Sequence, residues 1–508
     1  MIKKAIIMAA GPGTRLRPIT NEKPKCMTKV NGKPILEYQL TAFENNNVSE
    51  IIIVTGYKSE VIENYIKQRK SKTPIRIIKN ERHIESENVY SLWLAKKYLE
   101  NVSFFCVNGD IVFSEGILTD LENDHENRLA IQKDLYLEES MKILCKNQEC
   151  ITYIGKDISE TNSSGTSVEL YFFSLKHVQN LFYHIEKNIK IHGIKIWYEV
   201  AFNQFLKTSP IYPVFVKNKW FEVDNLADLQ EAEILFSINI DKILNSKVFI
   251  FDIDGTCVKD EKPIANAPKI INYLKDMGKK IYFCSNNTSI SSLDMHQKLK
   301  KLGFKCDPHD VITPIQSTIF YLKSKNIKNI FVLGTSQLTS EFKKHGLIIV
   351  DNDPEMVVIG FDKTLTYSTL VQATNFINKG APYLLTHPDI SFPDKEGPTP
   401  DAGAIGYLLE LVTNVQPCAS LGKPSISIIE TIQNIEKCNK NDITVVGDRI
   451  ETDIRMAHNA QTNSTLVLSG ITKREYLENE TKFPDLILPD ISFIESLFNK
   501  NSEIYTPH

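Results

Sequence analysis

Along this chain the apolar residues gather in short runs of strand length, and stretches with helical spacing separate them. KKAIIMAA, EIIIVTGY, IRIIKN and SFFCVNGD occur in the first half, with helical patterns such as NVYSLWLAKKYLE between them. Apolar, β-branched runs in regular exchange with amphipathic stretches are the grammar of βαβ units on a mostly parallel sheet. The rhythm restarts after residue 245 with KVFIFDIDG, KKIYFCSNN, KNIFVLG, MVVIGFD, PYLLTHPD and DITVVGD. Both halves are therefore expected to be α/β. Between them NLADLQEAEILFSINIDKILNS predicts a single helix that closes the first domain and places the boundary near residues 240–246. The halves share their alternation but no motif, and no internal repeat or low-complexity segment stands out.

The length of 508 residues exceeds one ordinary core and predicts about three folding units. A composition of 42% apolar and 24% charged residues is that of a globular protein. With a net charge of -3 and basic residues interspersed among acidic ones, the chain lacks the basic stripe that a nucleic acid requires. Nine cysteines without CxxC pairs, and an opening MIKKAIIMAAG whose apolar run is short for a signal peptide, predict reduced thiols and a cytoplasmic location. Apolar runs stop short of the roughly 18 residues that span a bilayer, so no membrane association is expected. An oligomer remains compatible with the sequence.

Directly after the first strand comes Ala9-Ala10-Gly11-Pro12-Gly13-Thr14-Arg15-Leu16-Arg17-Pro18. Such a turn lets backbone N–H groups of Ala10, Gly11, Gly13 and Thr14 approach phosphates, while Arg15 supplies fixed charge. Lys25 follows closely enough to return to the same phosphates and offset charge on a leaving pyrophosphate. Gly109-Asp110 ends the strand FFCVN, and Asp224 ends WFEV. Two carboxylates at strand C-termini can hold one Mg²⁺ against phosphate oxygens. Each feature has a plain structural alternative, as a strand-to-helix turn, a solvated lysine or a helix cap.

In the second half Phe249-Ile250-Phe251-Asp252-Ile253-Asp254-Gly255-Thr256 is a strand ending in two carboxylates. Asp252 there is placed to attack a phosphorus atom, while Asp254 protonates the leaving alcohol and later activates water. Ser285 and Asn286 after KKIYFC offer phosphoryl-oxygen donors, and Lys423 in LGKP offers neutralising charge. Asp448 in VGDRIETD completes a second Mg²⁺ site with Asp252 and the backbone carbonyl of Asp254. Asp453 follows in the same segment.

On these motifs, residues 1 to about 240 resemble the nucleotidyltransferases that act on sugar phosphates and choline phosphate. The likeness to the bacterial phosphocholine cytidylyltransferases rests on AAGPGTRLRP with its trailing PK, VNGKPILEYQL, IIIVTGY, Asn88-Val89-Tyr90-Ser91-Leu92 and WFEVDNLADL. The resemblance implies that Asn88 and Ser91 flank the pyrimidine and ribose of CTP, and that Mg²⁺ on Asp110 and Asp224 orients an in-line attack on its α-phosphorus. The family carries a tryptophan in the stretch matching Glu138–Lys142, and this chain has none there. With Lys133, Lys156, Tyr198 and Glu199 as acceptor-binding candidates, a polyol, sugar or amino-alcohol phosphate is expected rather than phosphocholine.

Residues 246–498 resemble haloacid dehalogenase superfamily phosphatases with a large α/β cap, the sugar-phosphate, nitrophenylphosphate and pyridoxal-phosphate phosphatase type. The resemblance implies a nucleotidyltransferase domain over 1–243, a phosphatase core over 246–326 and 419–500, and a cap over 327–418. MVVIGFDKTLTY and the PD after LLTH match the cap, where His387 replaces a usual asparagine. Together the halves imply a bifunctional enzyme of surface polysaccharide synthesis. The alternative is a UTP- or dTTP-dependent sugar-1-phosphate nucleotidyltransferase whose C-terminal half only binds a phosphorylated ligand.

Overall fold

In the computed structural model of the protein, residues 2–133, 135–147, 149–287, 291–394, 397–480, 482–495 and 497–498 are described. The chain divides into two units, Met1–Phe236 and Ser237–His508.

The sheet of the first unit runs Cys150–Gly155, Lys142–Lys146, Thr166–Phe173, Ser103–Asn108, Lys3–Ala9, Glu50–Thr55, Ile75–Lys79, with Asn127–Gln132 and Ile211–Phe215 pairing off this path. Its last four strands are parallel, and Thr166–Phe173 joins them antiparallel, giving a mixed sheet. Ile6 and Ile52 face one apolar cluster while Ile7 and Ile53 face another, and all four are fully buried. Burial on both faces explains why these strands read as unbroken apolar runs. Met8 pairs with Asn108, so the loop after Ala9 and the residues Gly109-Asp110 leave the sheet at one edge. A two-stranded ribbon, Ile111–Phe113 with Trp220–Glu222, returns Asp224 to that edge, where Val223 N–H donates to the Asp110 carbonyl at 3.0 Å.

The second unit holds a parallel sheet ordered Val311–Ile312, Lys280–Cys284, Val248–Asp252, Ile443–Gly447, Asn463–Val467, Leu486–Leu488. Asp252 pairs with Cys284 and Phe251 with Val446. Asp252, Ser285 and Asp448 therefore emerge together at the carboxyl edge. A second parallel sheet, Ile348–Ile349, Asn329–Leu333, Met356–Ile359, Tyr383–Leu385, Ala419–Ser420, forms the cap.

Two expectations need adjustment. The helix expected to join the halves breaks into Leu226–Leu235 and Ile240–Asn245, and the second piece goes with the second unit. Cap packing also extends past residues 327–418: Ala419–Ser420 adds the last strand, and Ile315, Ile319 and Leu322 of the helix Pro314–Ser324 share an apolar cluster with Ile330 and Leu384. Apolar contact sets these edges, and no local sequence signal marks them. All nine cysteines are free thiols. Among the described residues no helix is long and apolar enough to cross a membrane.

Candidate active sites

The first site is built around Lys25. Its ammonium bridges Asp110 Oδ2, at 2.6 Å, and Asp224 Oδ1, while Arg15 Nη2 meets the other Asp224 oxygen at 2.8 Å. Burial opposes the Lys25 charge, but the two aspartates more than offset this and raise its pKa. Glu222 joins Asp110 and Asp224 in a cluster whose ligand atoms lie within 4.8 Å of one another. It was missed in the sequence, although strand alternation puts residues 222 and 224 on one side. Burial, with Asp110 and Asp224 nearby, pushes the Glu222 carboxyl up to about 7. Asp224 is fixed by a capping box, since Asp228 Oδ2 accepts from the N–H groups of Asp224 and Asn225 at 2.9 and 3.0 Å. Gly13 has φ +62°, and a Cβ there would stand 2.8 Å from Lys25 Cβ, so glycine lets the loop lie on the lysine.

Beside this cluster lies a cavity of about 590 Å³, lined by Ala10, Gly11, Thr14, Lys25, Asn88, Ser91, Gly109 and Asp110 among the residues expected there. Asn80, His83 and Trp197 also line it and were not anticipated. Asn80 Nδ2 donates to Ser91 Oγ at 3.2 Å, and Asn88 Oδ1 accepts from the Tyr198 N–H at 2.8 Å. Of the acceptor candidates, Tyr198 and Glu199 are buried at the start of the helix Tyr198–Phe205. Lys156 stands over the Trp197 ring at 5.1 Å, and Lys133 is exposed over the Phe215 ring at 5.9 Å. A further buried acid, Glu169, has φ +56° in a strand where the register shifts, and its carboxylate accepts from Asn108. An apolar run, TSVELYFF, conceals it.

The second site is drier. Lys423 Nζ contacts Asp252 Oδ1, and Asp453 Oδ1 at 2.7 Å. Burial alone would lower the Lys423 pKa; the two carboxylates turn it upward. Asp252, Asp448 and Asp453 form a buried cluster with ligand atoms within 4.8 Å of one another. Three carboxylates against one lysine leave two negative charges among buried groups, the balance a divalent cation supplies. Asp252 Oδ2 and Asp448 Oδ1 are buried without a hydrogen-bond partner. Asp448 Oδ2 accepts from the Ile471 N–H at 2.7 Å, and Cβ atoms on Gly255 or Gly470 would collide with this carboxylate. Oxygen-only donors, charge balance and orphaned oxygens fit Mg²⁺ held by Asp252 and Asp448. In the first site the orphaned Asp110 Oδ1 beside Glu222 and Asp224 offers the same oxygen-only donor set, here neutralised by the Lys25 ammonium.

Asp254 follows the strand end with its side chain exposed, and Ser285 is buried, its Oγ accepting from the Asn287 N–H at 3.1 Å. Asn286 differs from the expected phosphoryl donor. Its Oδ1 accepts from Lys423 N–H at 2.8 Å, and its Nδ2 donates to the Lys423 carbonyl at 2.9 Å and to Asp389 Oδ2 at 3.2 Å. With both amide hydrogens engaged it positions the Lys423 backbone and ties it to the cap. Nearby, His387 Nε2 meets Asp401 Oδ1 at 2.8 Å and His387 Nδ1 meets Thr386 Oγ1 at 2.9 Å, which anchors the THPD loop.

Carboxylates gathered around a lysine at the edge of an α/β sheet, twice in one chain, define a pair of phosphate-handling α/β enzymes. Comparison with known proteins gives the families. Residues 4–135 match the nucleotidyl transferase family, residues 249–348 the haloacid dehalogenase-like hydrolases, and residues 420–493 the HAD-hydrolase-like family. An acid sugar phosphatase of Staphylococcus haemolyticus is 30% identical over 261 residues, covering 51% of this chain and 99% of that protein. One from Staphylococcus saprophyticus is 28% identical over 250 residues, 49% of this chain and 96% of its own. The crystal structure of a 4-nitrophenylphosphatase from Thermotoga maritima is 35% identical, covers 51% of this chain and 99% of its own, and has a TM-score of 0.49. The chain belongs to the haloacid dehalogenase-like hydrolases through its C-terminal half and carries a nucleotidyl transferase domain in its N-terminal half.

Proposed function

We propose that the first unit transfers CMP from CTP to the phosphate of a small phosphorylated alcohol, and that the second hydrolyses a sugar or related alcohol phosphate, both with Mg²⁺. The two reactions serve one cytoplasmic route to a CDP-linked precursor of a surface polysaccharide. The observation that carries this reading is the pair of separate carboxylate clusters, Asp110/Glu222/Asp224 and Asp252/Asp448/Asp453, each locked to a lysine.

In the first reaction an acceptor phosphate oxygen forms a bond to the α-phosphorus and pyrophosphate leaves. Lys25 and Arg15 pass from the carboxylates to the phosphates and offset the developing charge. Ser91, its Oγ held by Asn80 Nδ2, lines the adjoining cavity and offers a hydroxyl to a pyrimidine there, which supports CTP. In the second reaction Asp252 forms an acyl phosphate as the ester P–O bond breaks, and Asp254 protonates the departing alcohol oxygen. Water activated by Asp254 then releases inorganic phosphate. Burial and the neighbouring Asp453 and Asp448 push the Asp252 carboxyl up, Lys423 opposes that rise and holds the group in place, and Mg²⁺ when bound would screen the phosphoryl oxygens. The acid sugar phosphatase relatives support a sugar phosphate as substrate.

The test supplies CTP with a panel of phosphorylated alcohols and records pyrophosphate and inorganic phosphate separately. Asp224→Ala should abolish the first product alone and Asp252→Asn the second alone. Phosphate release that survives Asp252→Asn, or a preference for UTP or dTTP with a sugar 1-phosphate, overturns the corresponding half.

A further inference from the structure

The cap carries an apolar surface that neither reaction uses. Its helix Ala402–Thr413 is apolar on two sides. Ile405 and Leu409 are buried in one cluster with Phe376 and Ile377 of the adjoining helix Tyr367–Asn378. Tyr407, Leu408, Leu411 and Val412, with Val415 just past the helix end, are exposed instead: Tyr407 by 60%, Leu411 by 69% and Val412 by 61%. Alternating steps of one and three residues keep these side chains on one face. On the adjoining helix Tyr367, 83% exposed, and Val371 add to the exposed apolar area.

A helix that is hydrophobic all round is ordinarily covered all round. The exposed parts of these side chains come to about 700 Å², more than the roughly 300–600 Å² of the largest apolar patch on an ordinary monomer and close to the roughly 800 Å² each partner gives a stable interface. Charge points to the occupant. The chain is 24% charged, a composition at which two helices of 12 residues hold about six charged side chains. Tyr367–Asn378 has none, and Ala402–Thr413 has only Glu410, which accepts from Gln416 Nε2 at 3.3 Å. Without Lys or Arg, these helices lack the basic flank by which an interfacial helix holds a lipid surface. Nor do they offer a sign of charge that would select an oppositely charged protein. A surface that meets its own copy across a twofold axis must be self-complementary, and an uncharged one escapes the like-charge repulsion of that encounter. Depletion of charge with tyrosines among aliphatic residues is also the make-up of a homodimer interface core.

We propose that this face seats a second copy of the chain, the helix Ala402–Thr413 of one cap against the same helix of the other, with Leu411 at the middle of the contact. The association joins two caps and leaves both carboxylate clusters of each copy outside it, so each chain keeps its own phosphatase site.

Sedimentation equilibrium of the full chain over a range of micromolar concentrations is the test. The wild type should sediment at twice the mass of one chain. Leu411→Glu should raise the dissociation constant by about 30-fold or more, the scale of a charge placed in the centre of an interface, and Tyr407→Lys should act in the same direction. Tyr183→Glu, at a residue 58% exposed in the first unit, should leave the dimer intact. Hydrolysis of nitrophenyl phosphate by each variant reports that its cap and core remain folded. A monomeric wild type overturns the inference, as does a dimer that survives both cap substitutions in folded protein. A wild type that stays monomeric and floats with vesicles of phosphatidylcholine and phosphatidylglycerol, while Leu411→Glu does not, overturns it in favour of a lipid surface.

Discussion

Replacing Glu199 by glutamine tests the electrostatics of the buried acids without any substrate. In the folded protein burial drives the Glu199 carboxyl from its ordinary value of 4.5 up to about 8. A carboxyl with a raised pKa keeps its proton in the folded state at pH values where the unfolded chain has lost it. The folded state therefore binds more protons, and stability falls as pH rises between about 4.5 and about 8. Within that window each pH unit costs about 1.4 kcal/mol, and between pH 6 and 8 the loss sums to about 2 kcal/mol once the folded group begins to titrate. Glutamine preserves shape and cannot titrate, so this part of the slope disappears. All three tryptophans, Trp93, Trp197 and Trp220, lie in the first unit. Urea unfolding followed by tryptophan fluorescence therefore reports that unit within the intact chain, and subtracting variant from wild type cancels the titrating groups that lie outside the electrostatic reach of Glu199. The gap between the two stabilities should change by about 2 kcal/mol from pH 6 to pH 8, with the wild type losing ground. An unchanging gap would refute the reasoning.

Further outcomes follow from Lys25, Asp252 and the close-packed Gly255. Lys25→Met should lower the rate of pyrophosphate formation by about a hundredfold or more, yet tighten Mn²⁺ binding to the nucleotide-free protein, read by electron paramagnetic resonance, because it releases Asp110 and Asp224. Asp252→Asn should reduce nitrophenyl phosphate hydrolysis at least about a thousandfold and leave nucleotidyl transfer at the wild-type rate. Gly255→Ala places a methyl against Asp448 at a backbone φ of +96°. It should raise the Mg²⁺ concentration needed for half-maximal phosphatase activity, and an unchanged metal requirement would contradict the assignment of Asp448.

What the sequence made legible was whatever depended on neighbouring residues. DIDGT after an apolar strand, and GPGTR after another, announce their sites because strand end, turn and side chain lie within a few positions of one another. Glu222 was within reach of the same logic, two residues before Asp224 on a strand, but its role emerges only when the ribbon Trp220–Glu222 folds back on Ile111–Phe113. Glu169 was beyond it. Nothing in TSVELYFF distinguishes an acid turned towards other acids, since the positive φ and the register shift that place it are products of tertiary packing. Asn286 shows the converse: residue type and position suggested a phosphoryl contact, whereas hydrogen bonds to Lys423 and Asp389, over a hundred positions away, consume its donors.

That last arrangement constrains how such a phosphatase can change its preferences over evolutionary time. One amide grips both the cap loop and the main chain of the lysine that contacts Asp252. A cap exchanged for another would have to bring a suitable acceptor to residue 389, or the lysine would lose a brace on its backbone. New leaving-group tastes are therefore easiest to acquire at cap positions remote from this tether, where diversity carries no penalty in turnover.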